Sequence, residues 1–241
     1  MVPILSVELL IGAVALIFAY LFSVTLIGTT HALVAQWAGD DTAASLGMLS
    51  FHPYWYIDGF GLACTIVFGF GWGKLLPFIP TNVRAPYKSL RVLLVYLTQP
   101  ITAIVLAVTA LTLNIFLIGP QSLCFAFNYI LLDSFIRGIS TYQLSMISAG
   151  ASSATLVTAI ILIAITSLNI FLATWSLVHN AFYHVLYLGA QNGYNYMQYS
   201  ELILIIGPLT IFVFFSPLLR IMLMRGMAIM AYSIASYCGV I

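Results

Sequence analysis

The polar positions of this chain are few and bunched, and the apolar runs between them are long. Residues 3–38 form one long apolar run, interrupted by small or hydroxyl-bearing residues and by Glu8, His31 and Gln36. As a helix at about 1.5 Å per residue it would be roughly 50 Å long, more than the ~30 Å hydrocarbon core of a bilayer. It must therefore tilt, protrude or bend, and Gly28 is the expected weak point. Gly39 stands at a C-terminal capping position. A polar, turn-rich stretch follows at 40–61. Residues 62–72 are apolar but too short to span, and they contain Gly69 and Gly71. That stretch is expected to be re-entrant, because irregular backbone is tolerated at depth only against protein. The next run, 92–118, is a span with Pro100 inside it, expected to kink it or to mark a frayed start. Gly119 and Pro120 end it. Residues 121–142 read as an amphipathic interfacial segment, with Asp133 and Arg137 one turn apart. A fourth run, 144 to about 188, opens on the small residues 148–153, which suit close helix approach. A fifth, 200 to about 219, carries Glu201 in its first turn, where a carboxylate suits the helix dipole. The tail, 216–241, is apolar and reads equally as a span or an interfacial helix.

Composition fixes the class. The chain has 241 residues, 63% hydrophobic and 5% charged; soluble domains carry about 25% charged residues. The expected fold is all-α: a polytopic integral membrane helical bundle of about four to six membrane helices with a re-entrant or interfacial segment. It forms a single membrane domain over 1–241, with a core at about 15–215. A net charge of +1 implies no nucleic-acid partner. Cys64, Cys124 and Cys238 have no metal-ligand spacing and read as packing residues. The N-terminus lacks a basic region before its apolar run, so that run reads as a retained helix.

Four of the seven basic residues, Lys74, Arg84, Lys88 and Arg91, follow the short apolar stretch. If that stretch does not cross, the loops at 40–61 and 73–91 share one face, cytoplasmic or its organellar equivalent. The basic loop sets topology, and it is also a candidate for anionic lipid headgroups. Tyr54, Trp55, Tyr56, Phe60 and Trp72 read as an interfacial aromatic belt. Asp40, Asp41 and Thr42 read as a solvated turn, and Asp58 as an ion-pair partner for the basic loop.

The stretch "HALVAQWAGDDTAASLGMLSFHPYWYIDGFG" resembles the site-2 protease family of intramembrane zinc metalloproteases. That family has H-E-x-x-H on a membrane helix, followed by a pattern like A-L-V-A-x-x-x-G-D-x-T-A-x-x-x-G-R-L-x-x-N-P-x-x-H-x-D-x-x-G. His31, Ala32, Ala35, Gly39, Asp40, Thr42, Ala43, Gly47, Leu49, Pro53, Asp58 and Gly61 fall in register. "GWGKLLPFIPTNVRAPYKSLRVLLVYLTQP" and "NGYNYMQYSELILIIGPL" resemble later family stretches, so the resemblance covers about two-thirds of the chain. It implies a membrane-embedded site in which two histidines and a later carboxylate hold zinc, and the glutamate serves as general base.

Those catalytic letters are missing. The motif positions read Ile27, Gly28, Thr29, Thr30 and His31, so one histidine and the glutamate are gone. The later ligand stretch aligns with "SLVHNAFYHV", which puts Ser176, His179 and His184 at its asparagine, first proline and aspartate. Tyr56 replaces a histidine, His52 an asparagine and Ala103 another asparagine. Loss of a general base alone costs about 10²–10⁴ in rate, and His31 with His184 falls short of the three protein ligands of catalytic zinc. The expected function is therefore non-enzymatic. The chain reads as a pseudoprotease acting as a scaffold or accessory subunit beside other integral membrane subunits and lipids, in a bacterial inner membrane or an organelle inner membrane. No cofactor, and no zinc, is expected. The expected contact is a small-residue notch at Gly28, Thr29 and Thr30, with Trp55 and Tyr56 beside it. Two alternatives stay open: a metal or haem held by His31, His179 or His184, and a divergent protease with relocated ligands. Otherwise each imidazole reads as neutral and hydrogen-bonded locally, for His184 to Asn180 one turn away.

Overall fold

A computed structural model of the chain describes residues 7–119 and 153–191, with single positions between 221 and 236. The described residues are helical or irregular, and three helices are long and apolar enough to cross a membrane. This is an all-α membrane bundle. Helix α1 is Val7–Ala38, α2 is the single turn Thr42–Ser45, α3 is Gly59–Phe68, α4 is Lys88–Ile118 and α5 is Ser153–Gln191. The expectations for 121–142, for the fifth run, and for nearly all of the tail lie outside the described residues.

Side-chain contacts fix the helix directions. Ser23 of α1 meets Asn169 of α5 at 2.7 Å. Thr30 of α1 meets Thr102 of α4 at 3.2 Å, while Trp37, two turns on, meets Arg91. Asn180 and Asn114 tie α5 to α4 at opposite ends. Thus α1 and α5 run parallel, and α4 runs antiparallel to both. In its most apolar stretch α5 is 72% buried, against 56% for α1 and 33% for α4, which makes α5 the central helix. Close approach is permitted by small residues: Ala15, Ala19 and Ser23 recur every fourth position on α1, and Ala103 and Ala107 do so on α4.

The segment between α1 and α4 folds back along α1. Tyr56 packs over Gly28, and Asp58 and Trp72 both meet the Tyr20 hydroxyl, which donates to the Asp58 carbonyl at 3.1 Å or the Trp72 carbonyl at 2.9 Å. The chain then returns past Val24 at Gly73 and reaches Ala38 at Arg84, whose N–H bonds the Ala38 carbonyl at 3.1 Å. The excursion thus runs along some 18 residues of α1, about 27 Å at helical rise. The expected short apolar stretch is helix α3, closed by Gly69 in a left-handed conformation (φ 75°), followed by extended chain. Gly61 and Gly71 touch backbone to backbone where the two limbs cross, with no room for a Cβ on either. Both limbs of the excursion therefore begin and end beside the same helix, as a re-entrant piece would.

Three details differ from expectation. Helix α1 does not break at Gly28; the missing side chain there accommodates a ring from outside the helix. Helix α4 starts at Lys88, one turn before the apolar run, and continues through Pro100. Proline has no N–H for the carbonyl four residues back, which is that of Tyr96. The Asn180 side chain supplies the donor instead, at 2.7 Å, and also donates to Gln99 Oε1 at 3.1 Å. Asn180 therefore does not serve His184.

Candidate functional site

The motif stretch, residues 27–31, lies in the C-terminal half of α1. Ile27 is buried and cannot bind a metal. At Gly28 an added Cβ would strike Cδ1, Cε1 and Cγ of Tyr56. Tyr56 is brought there by the 3-10 turn Pro53–Trp55, capped by His52, with its own N–H bonded to the Pro53 carbonyl at 2.9 Å. The ring is 1% exposed. Its hydroxyl donates to the Met48 carbonyl, with the Ser50 carbonyl at 3.2 Å and Thr29 Oγ1 at 3.1 Å completing the surround. An entirely buried tyrosine so fixed is a plug where the family places a carboxylate and a metal.

This corrects the expected contact surface. The notch at Gly28, Thr29 and Thr30 is not open to another protein, because Tyr56 fills it from within the chain. Thr29 is fully buried, and Thr30 bonds Thr102 of α4. Trp55 packs half-buried against the core and Tyr56 is inside it, so the aromatic belt is reduced to exposed Tyr54 and Phe60, with Trp72 stacked on Trp175 at 5.9 Å.

Beside Gly28 a cavity of about 50 Å³ is lined by Ile27, Lys74, Gln99, Ser176 and His179. It has room for a few waters. Ser176 and His179 thus face the motif stretch, as the alignment implies. His184 does not. A run of ring contacts links it to His31: His31 to Phe78 at 6.3 Å, Phe78 to Tyr96 at 5.4 Å, and Tyr96 to His184 at 5.7 Å. Imidazoles sharing a metal must each come within about 2.1 Å of it, and each of these two packs instead against a ring of its own, His31 on Phe78 and His184 on Tyr96. His179 instead packs between Trp175 and Tyr183. Nδ1 of His31 and of His184 is buried with no hydrogen-bond partner, while the His31 ring also meets the Val95 backbone and His179 Nδ1 lies 3.4 Å from Asn180 Oδ1, in line with the expected local bonding for those two. Among the described residues, no three of the His, Cys, Asp and Glu side chains gather as a metal site. The residues at the motif therefore do not fit the zinc of the family resembled.

Asp40 and Asp58 are structural, in ways the sequence did not disclose. Asp40 is fully buried rather than part of a solvated turn. Burial alone would raise its carboxyl pKa, but hydrogen bonds from the Ile79 N–H (2.8 Å), the Thr42 hydroxyl, the Asn82 amide (3.0 Å) and the Thr42 N–H outweigh that and hold it below the ordinary value. Through these bonds Asp40 pins the returning limb to the end of α1. Among the described residues the Asp58 carboxylate pairs with no basic side chain; its Oδ1 caps α3 by accepting the Gly61 N–H at 2.6 Å. Tyr56, Asp40 and Asn180 are the residues sequence reasoning undervalued. The signals were present for two of them: a glycine at mid-helix, and a proline whose carbonyl partner needed a donor.

No family model matches the chain, and no solved structure does. Over 92 residues the chain is 34% identical to a Bacillus subtilis (strain 168) protein named "Putative zinc metalloprotease YwhC". The match covers 38% of this chain and 41% of the relative, so the chain spans less than half of that protein. Over this stretch the chain has a metalloprotease-like relationship.

Proposed function

We propose that the chain is a catalytically inactive relative of the site-2 proteases that serves as a scaffold or accessory subunit for other integral membrane proteins. The observation that carries this reading is the Tyr56 ring seated over Gly28, next to Ile27. A general base and a metal ligand are replaced by an apolar side chain and a packed ring, and His31 turns to Phe78. The change also removes ionisable groups that are costly at membrane depth. What persists is the frame: Asp40 tying the excursion, Asp58 capping α3, and the glycine crossing. Partner contacts then fall on the outward faces of α1 and α4, not on the old centre.

The test is native purification in mild detergent and in nanodiscs, followed by identification of co-purifying membrane proteins, metal analysis, and a proteolysis assay with and without chelator. The expected result is a defined membrane partner, less than stoichiometric zinc, and no chelator-sensitive cleavage. One zinc per chain with chelator-sensitive cleavage would overturn inactivity. A lone chain in both media would overturn the scaffold role.

A further inference from the structure

The end of the bundle where α1 stops and α4 starts gathers several charged residues in a chain that has few, Asp40, Asp41, Arg84, Lys88 and Arg91. The candidate spans end at Ala38 and begin at Lys88. The Arg84–Ala38 backbone bond brings these two termini to one level. Arg84, Lys88 and Arg91, three of the chain's seven basic residues, therefore sit at the boundary of its apolar length. Each is positioned. The Arg84 stem lies along Gly39. Lys88 Nζ donates to the Thr81 carbonyl at 2.8 Å. The Arg91 guanidinium lies 5.6 Å over the Trp37 ring. Trp37 and Tyr87 are 66% and 76% exposed beside them, as aromatic residues at a membrane surface are. Of the carboxylates here, Asp40 is sheathed in hydrogen bonds from its own chain, which leaves Asp41 as the exposed counter-charge. Helix α4 adds its own positive end, since Tyr87 at its N-cap offers no side-chain cap to the first-turn N–H groups.

We propose that Arg84, Lys88 and Arg91, framed by Trp37 and Tyr87, form a binding collar for anionic phospholipid headgroups. Charge complementarity selects the phosphate, and the depth of the cations selects a lipid over a free anion. Each cation at such a surface contributes about 1 kcal/mol, or about fivefold in affinity. The probe is the full-length chain in nanodiscs of phosphatidylcholine doped with phosphatidylglycerol, read by lipids retained in native mass spectrometry and by thermal stability. Wild type should retain phosphatidylglycerol selectively and gain stability with its fraction. Lys88→Gln and Arg84→Gln should each weaken retention about fivefold, and the pair more than tenfold, with helix content unchanged. Equal retention of the two lipids by wild type would overturn the proposal without recourse to any variant. So would equal stabilisation by inorganic phosphate in pure phosphatidylcholine, or double-variant retention matching wild type.

Discussion

Gly28→Ala adds one methyl group to α1, and in most helices it would stabilise, since alanine is favoured over glycine by about 1 kcal/mol. Here the methyl enters the space of the Tyr56 ring. The ring cannot retreat freely, because its hydroxyl is held at Met48 and Ser50 and its face is enclosed. Overpacking of this kind costs about 1–3 kcal/mol. If the ring is expelled, its burial and its hydrogen bond, about 1.5–3 and 0.5–1.5 kcal/mol, are lost instead. The expected net effect is a destabilisation of about 1–3 kcal/mol. A double-mutant cycle with Tyr56→Leu isolates the cause. In that background the methyl group has room, and Gly28→Ala should become neutral or stabilising. The assay is reversible unfolding in mixed micelles followed by tryptophan fluorescence, with helix content as a control. Were Gly28→Ala to cost the same with and without Tyr56, the plugged-centre account would fail.

Restoring the motif by Ile27→His with Gly28→Glu should give no stoichiometric zinc and no cleavage, and should lower stability by more than Gly28→Ala; metal analysis and the same unfolding assay check this. Asn180→Leu leaves the Tyr96 carbonyl and Gln99 without their donor, at a cost of about 1–2 kcal/mol. That cost should shrink in a Pro100→Ala background, where the backbone N–H returns. Because Asp40 has a depressed pKa, its contribution is full above about pH 4, the unfolded value, and is lost as pH falls through the lower folded value. Asp40→Asn should flatten this acid limb in pH-dependent unfolding. Cysteines placed at exposed Ser50 and Thr81 should label from the same membrane side; opposite-side labelling would mean that α3 crosses.

The spans were legible because hydropathy and length act locally, and so was the end of α1, where Gly39 takes φ 112°. What was not legible required knowing which residues meet across the fold. Pro100 announced a vacant carbonyl at Tyr96, but nothing local names a donor 84 residues later. Gly28 announced a missing side chain, which suggested an open notch. Only the path of the excursion delivers Tyr56 to it. Asp40 looked solvated because acidic residues after a helix usually are. Its burial depends on Ile79 and Asn82 arriving from the returning limb. At the site, the non-ligating residue types at Ile27 and Gly28 were plain in the sequence. That His31 packs on Phe78 and His184 on Tyr96 was not, since alignment gives positions and not side-chain directions.

The pairing of Asn180 with the Tyr96 carbonyl also sets an order of events during synthesis. Tyr96 is translated 84 residues ahead of its partner, so at about 5–20 residues per second the freed carbonyl waits roughly 4–17 s for its donor. Through that interval α4 carries an unsatisfied polar group that hydrocarbon does not solvate. At about 1–2 kcal/mol that group slows rather than bars the entry of so apolar a helix, and water or a protein donor serves the carbonyl until α5 docks. Slowing elongation between codons 100 and 180 should lengthen the stay of α4 at the insertion machinery, and Pro100→Ala should release it early.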